Sequence, residues 1–284
     1  MTQPDDLGLD LETLSQQLAD INLPTEKAAA ALEALGAPVV SSGDGELQQA
    51  MTESDKGLDL PTPEQQAQAV LDRFLDWATD PRLAVLDTET TGLGAGDQVI
   101  EIAMVDAYGR TLIDQRVRPT FPVPADSTAI HGITDDDLND CPTFDQIWPQ
   151  LKELLWTYNV VIYNASYDLA RIGDSLDATM PGWYKASEGV GHSEPFKAWT
   201  ALCRRIQDRC VMEAYAPVGG NWHPYWGNYS WVRLADACEA RGVDTSDLKA
   251  HAALDDARAT LRLIQGAAQL TPADLPWIGH EDEQ

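Results

Sequence analysis

Residues 83–86, Leu-Ala-Val-Leu, form a wholly apolar run that leads directly into Asp87-Thr88-Glu89. Apolar side chains at every position, rather than at every second one, suit a central strand buried on both faces. Such a strand needs other strands beside it and helices above and below. Two more strands follow at 98–106 and 111–118, joined around Tyr108-Gly109, which reads as a meander. Thr143 then caps a helix carrying Phe144, Ile147, Trp148, Leu151, Leu154, Leu155 and Tyr158 on one stripe, with Pro149 expected to kink it. A fourth strand is expected at 160–163, and helices near 167–180, 230–241 and 252–268. Strands first and alternating helices later imply an α/β protein with a mixed sheet.

The start of this unit is marked by Thr62-Pro63-Glu64-Gln65, which combines an N-cap, a proline at the first helical position and a capping-box glutamine. Ala67, Val70, Leu71, Phe74 and Trp77 form the apolar stripe of the helix that begins there. Before it the composition changes. Residues 1–72 hold 14 acidic and 2 basic side chains. Leu11, Leu14, Leu18 and Ile21 fall at helical spacing, an Ala-rich helix is expected from Thr25 to a stop at Gly36, and 37–60 reads as a linker. The expected organisation is an acidic, partly helical N-terminal extension over 1–61, a folded α/β domain over 62–270, and an acidic tail over 271–284. A protein partner is the expectation for the extension.

The chain has 46 acidic and 19 basic residues and a net charge of −27, which excludes a basic nucleic-acid coat protein. Residues 180–262, with 10 of each sign, are the balanced exception. No apolar run is long enough to span a membrane and no leader pattern opens the chain, so neither membrane nor export is expected. Cys141, Cys203, Cys210 and Cys238 are too few and too scattered for a disulfide framework. They lack a Cys-x-x-Cys pair, so buried thiols are expected over a zinc site. A cytoplasmic location is the expectation.

Period-two geometry places Asp87 and Glu89 on the same face of the first strand. Alone, an acidic strand end facing water would explain them. Asp168 is delivered where the fourth strand runs into Asn164-Ala165-Ser166-Tyr167-Asp168, and alone it would be an ordinary acid at a helix N-terminus. His251-Ala252-Ala253-Leu254-Asp255-Asp256 opens the last helix with a histidine and two acids, of which helical spacing alone favours Asp255.

Taken in order, Asp87, Glu89, Asp168, His251 and Asp256 resemble the three motifs of the DEDDh 3′-5′ exonucleases, the DnaQ-like or RNase T-like superfamily. Ile130-His131-Gly132-Ile133-Thr134 is similar to a stretch common in those enzymes between the first two motifs. The resemblance spans roughly 83–268 and implies an RNase H-like fold with a mixed five-stranded sheet flanked by helices. It implies that Asp87, Glu89, Asp168 and Asp256 hold two Mg²⁺ or Mn²⁺ ions. His251 would be the general base, and the register His-x-Ala-x-x-Asp selects Asp256 over Asp255. All-oxygen ligation suits these hard cations, and an ordinary histidine pKa suits a base. The resemblance also nominates Thr90, Leu93, Asn164 and Tyr167 to hold the terminal nucleotide.

The expected activity is metal-dependent release of nucleoside 5′-monophosphates from free 3′ ends, on single-stranded or frayed nucleic acid, with DNA favoured over RNA. An exoribonuclease on the same fold is the alternative, and a non-catalytic binding module would predict a broken motif. An aromatic-rich insert over about 181–229 departs from a minimal domain. Its rings, Trp222, Tyr225, Trp226 and Tyr229 foremost, with Lys197, Arg204, Arg205 and Arg209 interleaved, fit either a packed subdomain or a stacking surface for single strands.

Overall fold

A computed structural model of the chain describes residues 62–184 and 193–278. The helices and linker expected before Thr62, and the last residues of the acidic tail, lie outside the described residues. Helix α1 (Pro63–Thr79) opens with the expected capping box: the Gln65 N–H donates to Thr62 Oγ1 and the Thr62 N–H donates to Gln65 Oε1. Its stripe of Ala67, Leu71, Phe74 and Trp77 is buried.

Strands β1 (Leu83–Thr90), β2 (Val99–Asp106), β3 (Thr111–Arg116) and β4 (Asn159–Ile162) form one sheet in the order β3-β2-β1-β4. β1 is antiparallel to β2 and parallel to β4, which makes the sheet mixed and β1 central. Leu83, Ala84, Val85 and Leu86 are all fully buried, as an apolar run on a two-sided strand requires. Leu83 and Val85 face α1 and the last long helix. Ala84 and Leu86 face the opposite layer.

Two short helices, α2 (Ala125–His131) and α3 (Asp135–Leu138), follow β3, with Gly132 in the left-handed region ending the first. Helix α4 (Phe144–Thr157) runs through Pro149 without a break. The proline lies in the second turn, where only the carbonyl of Asp145 loses a donor. Helix α5 (Ala165–Thr179) packs beside α4 over the Ala84/Leu86 face, and α6 (Glu194–Gln207) extends that layer. Helix α7 (Val211–Gly219) turns to the other face, and a hairpin of β5 (Trp222–His223) and β6 (Asn228–Tyr229) leads to α8 (Leu234–Ala240). Helix α9 (Ala253–Ala267) closes the domain, packed on β1, β2 and α1.

Two expectations are corrected. The main sheet has four strands among the described residues, not five. The fifth position is reduced to one parallel bridge between Ile162 and Cys210, because α6 ends just before that residue and α7 starts just after it. Helix α8 begins at Leu234 rather than near Ser230, since 230–232 is spent on hydrogen bonds outside any helix: Ser230 donates to the Asn221 carbonyl and the Val232 carbonyl accepts from Tyr163 Oη. The four cysteines are free thiols, with Cys210 and Cys238 buried. No helix among the described residues is long and apolar enough to cross a membrane.

Candidate active site

Asp87 and Glu89 leave the same face of β1 near its C-terminal end. Across the β1–β2 ladder Asp87 stands opposite Ala103, and Glu89 stands opposite Glu101. On the other side β4 pairs with β1 only as far as Leu86 and Ile162. Because β4 stops there, the edge of β1 beside Asp87 is open to the first turn of α5. Asp168 enters at that point, buried, and its Oδ1 accepts from Thr88 Oγ1 at 2.7 Å.

The third contribution comes from the start of α9. His251 has φ +60, the left-handed region that non-glycine residues rarely adopt. Two carboxylates fix the backbone around it. Asp256 Oδ2 accepts from the His251 N–H at 3.1 Å, and Glu101 Oε2 accepts from the Ala253 N–H at 2.9 Å. Arg116 in turn reaches Glu101 Oε1 at 3.4 Å. The outcome brings one ligand atom each of Glu89, His251 and Asp256 within 4.8 Å of one another. Asp255 is turned elsewhere: it accepts from the Lys249 N–H at 3.0 Å and pairs with Arg258 at 3.2 Å.

The electrostatics are those of crowded, buried acids. Burial, with repulsion from Asp168, Asp256, Glu89 and Glu101, pushes the Asp87 carboxyl well above its usual range. Burial raises Glu89 to about 8, reinforced by Asp256, Glu101 and Asp168. Asp168 is raised to about 7 by burial, against the Thr88 hydrogen bond that favours its charged form. Burial also raises Asp256, against the His251 N–H bond. Four neighbouring acids whose charged forms are all disfavoured by burial suit the binding of cations. Their oxygen donors fit a hard divalent ion such as Mg²⁺ or Mn²⁺.

Beside the acids, three of the four nominated nucleotide contacts come together. The Tyr167 hydroxyl donates to the Gly92 carbonyl at 2.9 Å and shares a hydrogen bond with Thr90 Oγ1, while Leu93 is fully exposed on the same loop. A Cβ at position 92 would lie 2.7 Å from Asp97 Oδ2, so a larger residue there would displace that carboxylate. Asn164 is the residue just before α5, its Oδ1 accepting from the Ser166 hydroxyl.

Two residues around the site, Arg171 and Glu101, carried no signal in the sequence. Arg171, one turn after Asp168 and buried, hydrogen-bonds the Gly94 carbonyl, pairs with Asp174 at 2.7 Å and stacks over the Tyr167 ring. Glu101 was hidden because pairing register is not written in a sequence. His131 is buried with Nδ1 accepting from the Ile133 N–H and Nε2 unpartnered among the described residues. A cavity of about 320 Å³ opens next to His251 and Asp256, bounded also by Arg233, Leu234, Cys238 and Leu248.

Residues 84–185 match the exonuclease family RNase_T. The chain is 36% identical over 199 residues to an exonuclease, CP81, of Escherichia phage 186, a match covering 69% of this chain and 93% of that protein. It is 35% identical over 98 residues to the DNA polymerase III subunit epsilon of Escherichia coli K12, covering 31% of this chain and 40% of that subunit. The chain thus spans less than half the length of that subunit. Among solved structures, exonuclease X in complex with 5′-overhanging duplex DNA aligns at 23% identity and a TM-score of 0.41, over 68% of this chain and 96% of that one.

Proposed function

This chain belongs to the DEDDh, DnaQ-like superfamily of exonucleases, and on that premise we propose that it removes nucleotides one at a time from the free 3′ end of single-stranded or frayed DNA. The observation that carries the reading is the convergence of Glu89, His251 and Asp256 within 4.8 Å beside Asp87 and Asp168, carboxyls whose charged forms burial disfavours.

In this reading Asp87, Glu89, Asp168 and Asp256 hold two divalent cations. Bound there, two Mg²⁺ or Mn²⁺ ions would offset the four carboxylates and stabilise the negative charge that develops on the phosphoryl oxygens. The residues of the chain do the rest. Thr90, Leu93, Asn164 and Tyr167 seat the terminal nucleotide, and Arg171 keeps the Gly92–Gly94 loop against Tyr167. A water attacks the scissile phosphorus, and His251 takes a proton from it. The bond from phosphorus to the 3′ oxygen breaks, that oxygen regains a proton, and the products are a nucleoside 5′-monophosphate and a strand shortened by one. The left-handed backbone of His251 is the strained feature that aims the imidazole into the acid cluster.

The test is digestion of a 5′-labelled DNA oligonucleotide, with free and blocked 3′ ends and a matched RNA arm, in Mg²⁺, Mn²⁺ or EDTA. Stepwise shortening from a free 3′ end, lost in EDTA and in Asp87→Ala, is expected. Undiminished cleavage by Asp87→Ala would overturn the site, and preference for the RNA arm would overturn the substrate.

A further inference from the structure

We infer that the β5–β6 hairpin is a stacking platform for single-stranded DNA, which receives the bases upstream of the nucleotide being removed. The inference rests on the exonuclease reading above and concerns a surface outside the acid cluster.

The insert divides into two kinds of aromatic residue. Trp199 and Tyr215 are buried and belong to the core. The hairpin and its exit do the opposite: Tyr225 is 80% exposed, Trp226 and Trp231 are each 68% exposed, and Trp222 is 45% exposed. Apolar surface of this size gains nothing from water, and single scattered rings would need no explanation, but here they share one short segment. Tyr225 and Trp226 meet edge to face at 4.7 Å, which covers one face of one ring, and both residues still keep more than two-thirds of their surface open to solvent. Open faces on a fixed support are what a base stacks upon.

The support is firm. Trp222 packs on Tyr229 at 5.1 Å, Tyr229 lies 6.1 Å from Trp277, and Trp277 Nε1 donates to the Pro217 carbonyl at 2.8 Å. Gly220, just before the hairpin, has φ +72 and lies so close to Pro276 that any Cβ would collide with its ring.

The position also fits. Two residues after Trp231 the chain reaches Arg233, which lines the same cavity as His251 and Asp256. Between them the Val232 carbonyl accepts from Tyr163 Oη at 2.7 Å, one residue before Asn164. The segment leaving the hairpin is therefore tied to the edge of the acid cluster, the side that the platform assigns to the upstream strand.

Charge selects the occupant. In a chain with 46 acidic residues, 214–235 is the longest stretch without one, 22 residues long, and it contains the whole hairpin. The first acid after it, Asp236, is held by two hydrogen bonds from Arg233. Acid-free, ring-rich surface in a protein of charge −27 matches a polyanion that brings flat bases. The basic residues of α6 are not part of this surface: Lys197 pairs with Glu194, and Arg205 hydrogen-bonds the Leu155 carbonyl.

The test compares the full-length protein with the double variant Tyr225→Ala/Trp226→Ala and with Trp226→Phe. Each is assayed on oligothymidylates of increasing length and on thymidine 5′-p-nitrophenyl phosphate, which has no upstream strand. Expected is a KM for long strands raised on the order of tenfold in the double variant, with kcat and hydrolysis of the small ester unchanged and Trp226→Phe close to the parent. Oligothymidylate added in EDTA should quench tryptophan fluorescence in the parent and much less in the double variant. An unchanged KM for long strands, or equal loss on the small ester, overturns the platform; the first outcome leaves the surface to a protein partner. Quenching without hydrolysis by the parent would uphold the platform and overturn the exonuclease reading, so the two fail separately.

Discussion

Asp256 and Asp255 are adjacent on α9 yet have different work, and the difference is a matter of which way one turn of helix faces. Asp256 meets Glu89 and His251, whereas Asp255 is spent on Lys249 and Arg258. Asp256→Asn is expected to reduce kcat by at least about 100-fold, a loss of the size seen when a group acting on the reacting centre is removed, while Asp255→Asn stays near parental activity. Steady-state kinetics on one oligonucleotide decides this, and equal losses would contradict it. Glu89 supplies a second expectation, for the metal-free protein. Its folded carboxyl titrates at about 8 against an ordinary 4.5, so the protonated form favours folding. That contribution is full below about 4.5 and is lost as pH rises through about 8. In EDTA the Tm should fall across this window, fall less in Glu89→Gln, and recover when Mg²⁺ is added at the alkaline end. A Tm that rises with pH in EDTA would show that the acids are not crowded as described.

At the scale of elements, helix α1 and the start of α9 are the joints that hold the site in place. Phe74 of α1 is buried against Tyr215 and Trp77, so Phe74→Ala is expected to cost about 3 to 5 kcal/mol in a urea titration. A cost below about 1 kcal/mol would mean that α1 is not part of the core. Glu101 is a positioning residue: its carboxylate holds the Ala253 N–H and through it the left-handed turn at His251. Glu101→Ala should lower kcat roughly tenfold with little change in KM, and Glu101→Gln, which keeps a carbonyl acceptor, should recover most of it. Equal defects in the two variants would refute the hydrogen bond as the cause. These joints mark the border of what the sequence reveals. Capping at Thr62, the apolar run at 83–86 and the motif acids could be read from local pattern, because caps, periods and short motifs are local. The fifth strand was implied by the resemblance rather than by a local pattern, and among the described residues its place holds only the bridge between Ile162 and Cys210, between the end of α6 and the start of α7. Glu101 and Arg171 were invisible because strand register and the partner of a helical arginine are decided by the rest of the fold.

For the whole molecule, the charge of −27 has three different sources. Part of it is the acid cluster, part is ordinary surface, and a large part lies in residues 1–72, whose 14 acids precede every motif. We propose that 1–61 are dispensable for hydrolysis: a truncation beginning at Thr62 should keep its kcat on short single strands, and one beginning inside α1, after Phe74, should not fold. Loss of activity by the first with folding intact would assign the acidic extension a part in the reaction. The order of the site along the chain has a further effect. Asp87 and Glu89 come early, Asp168 in the middle, and both His251 and Asp256 only with α9, which docks on β1, β2 and α1 at the end of the domain. On the proposed assignment, a chain still emerging from the ribosome carries three of its acids and no base. Until the last helix is synthesised and packed, such a nascent protein would be chemically silent toward the nucleic acid that surrounds it.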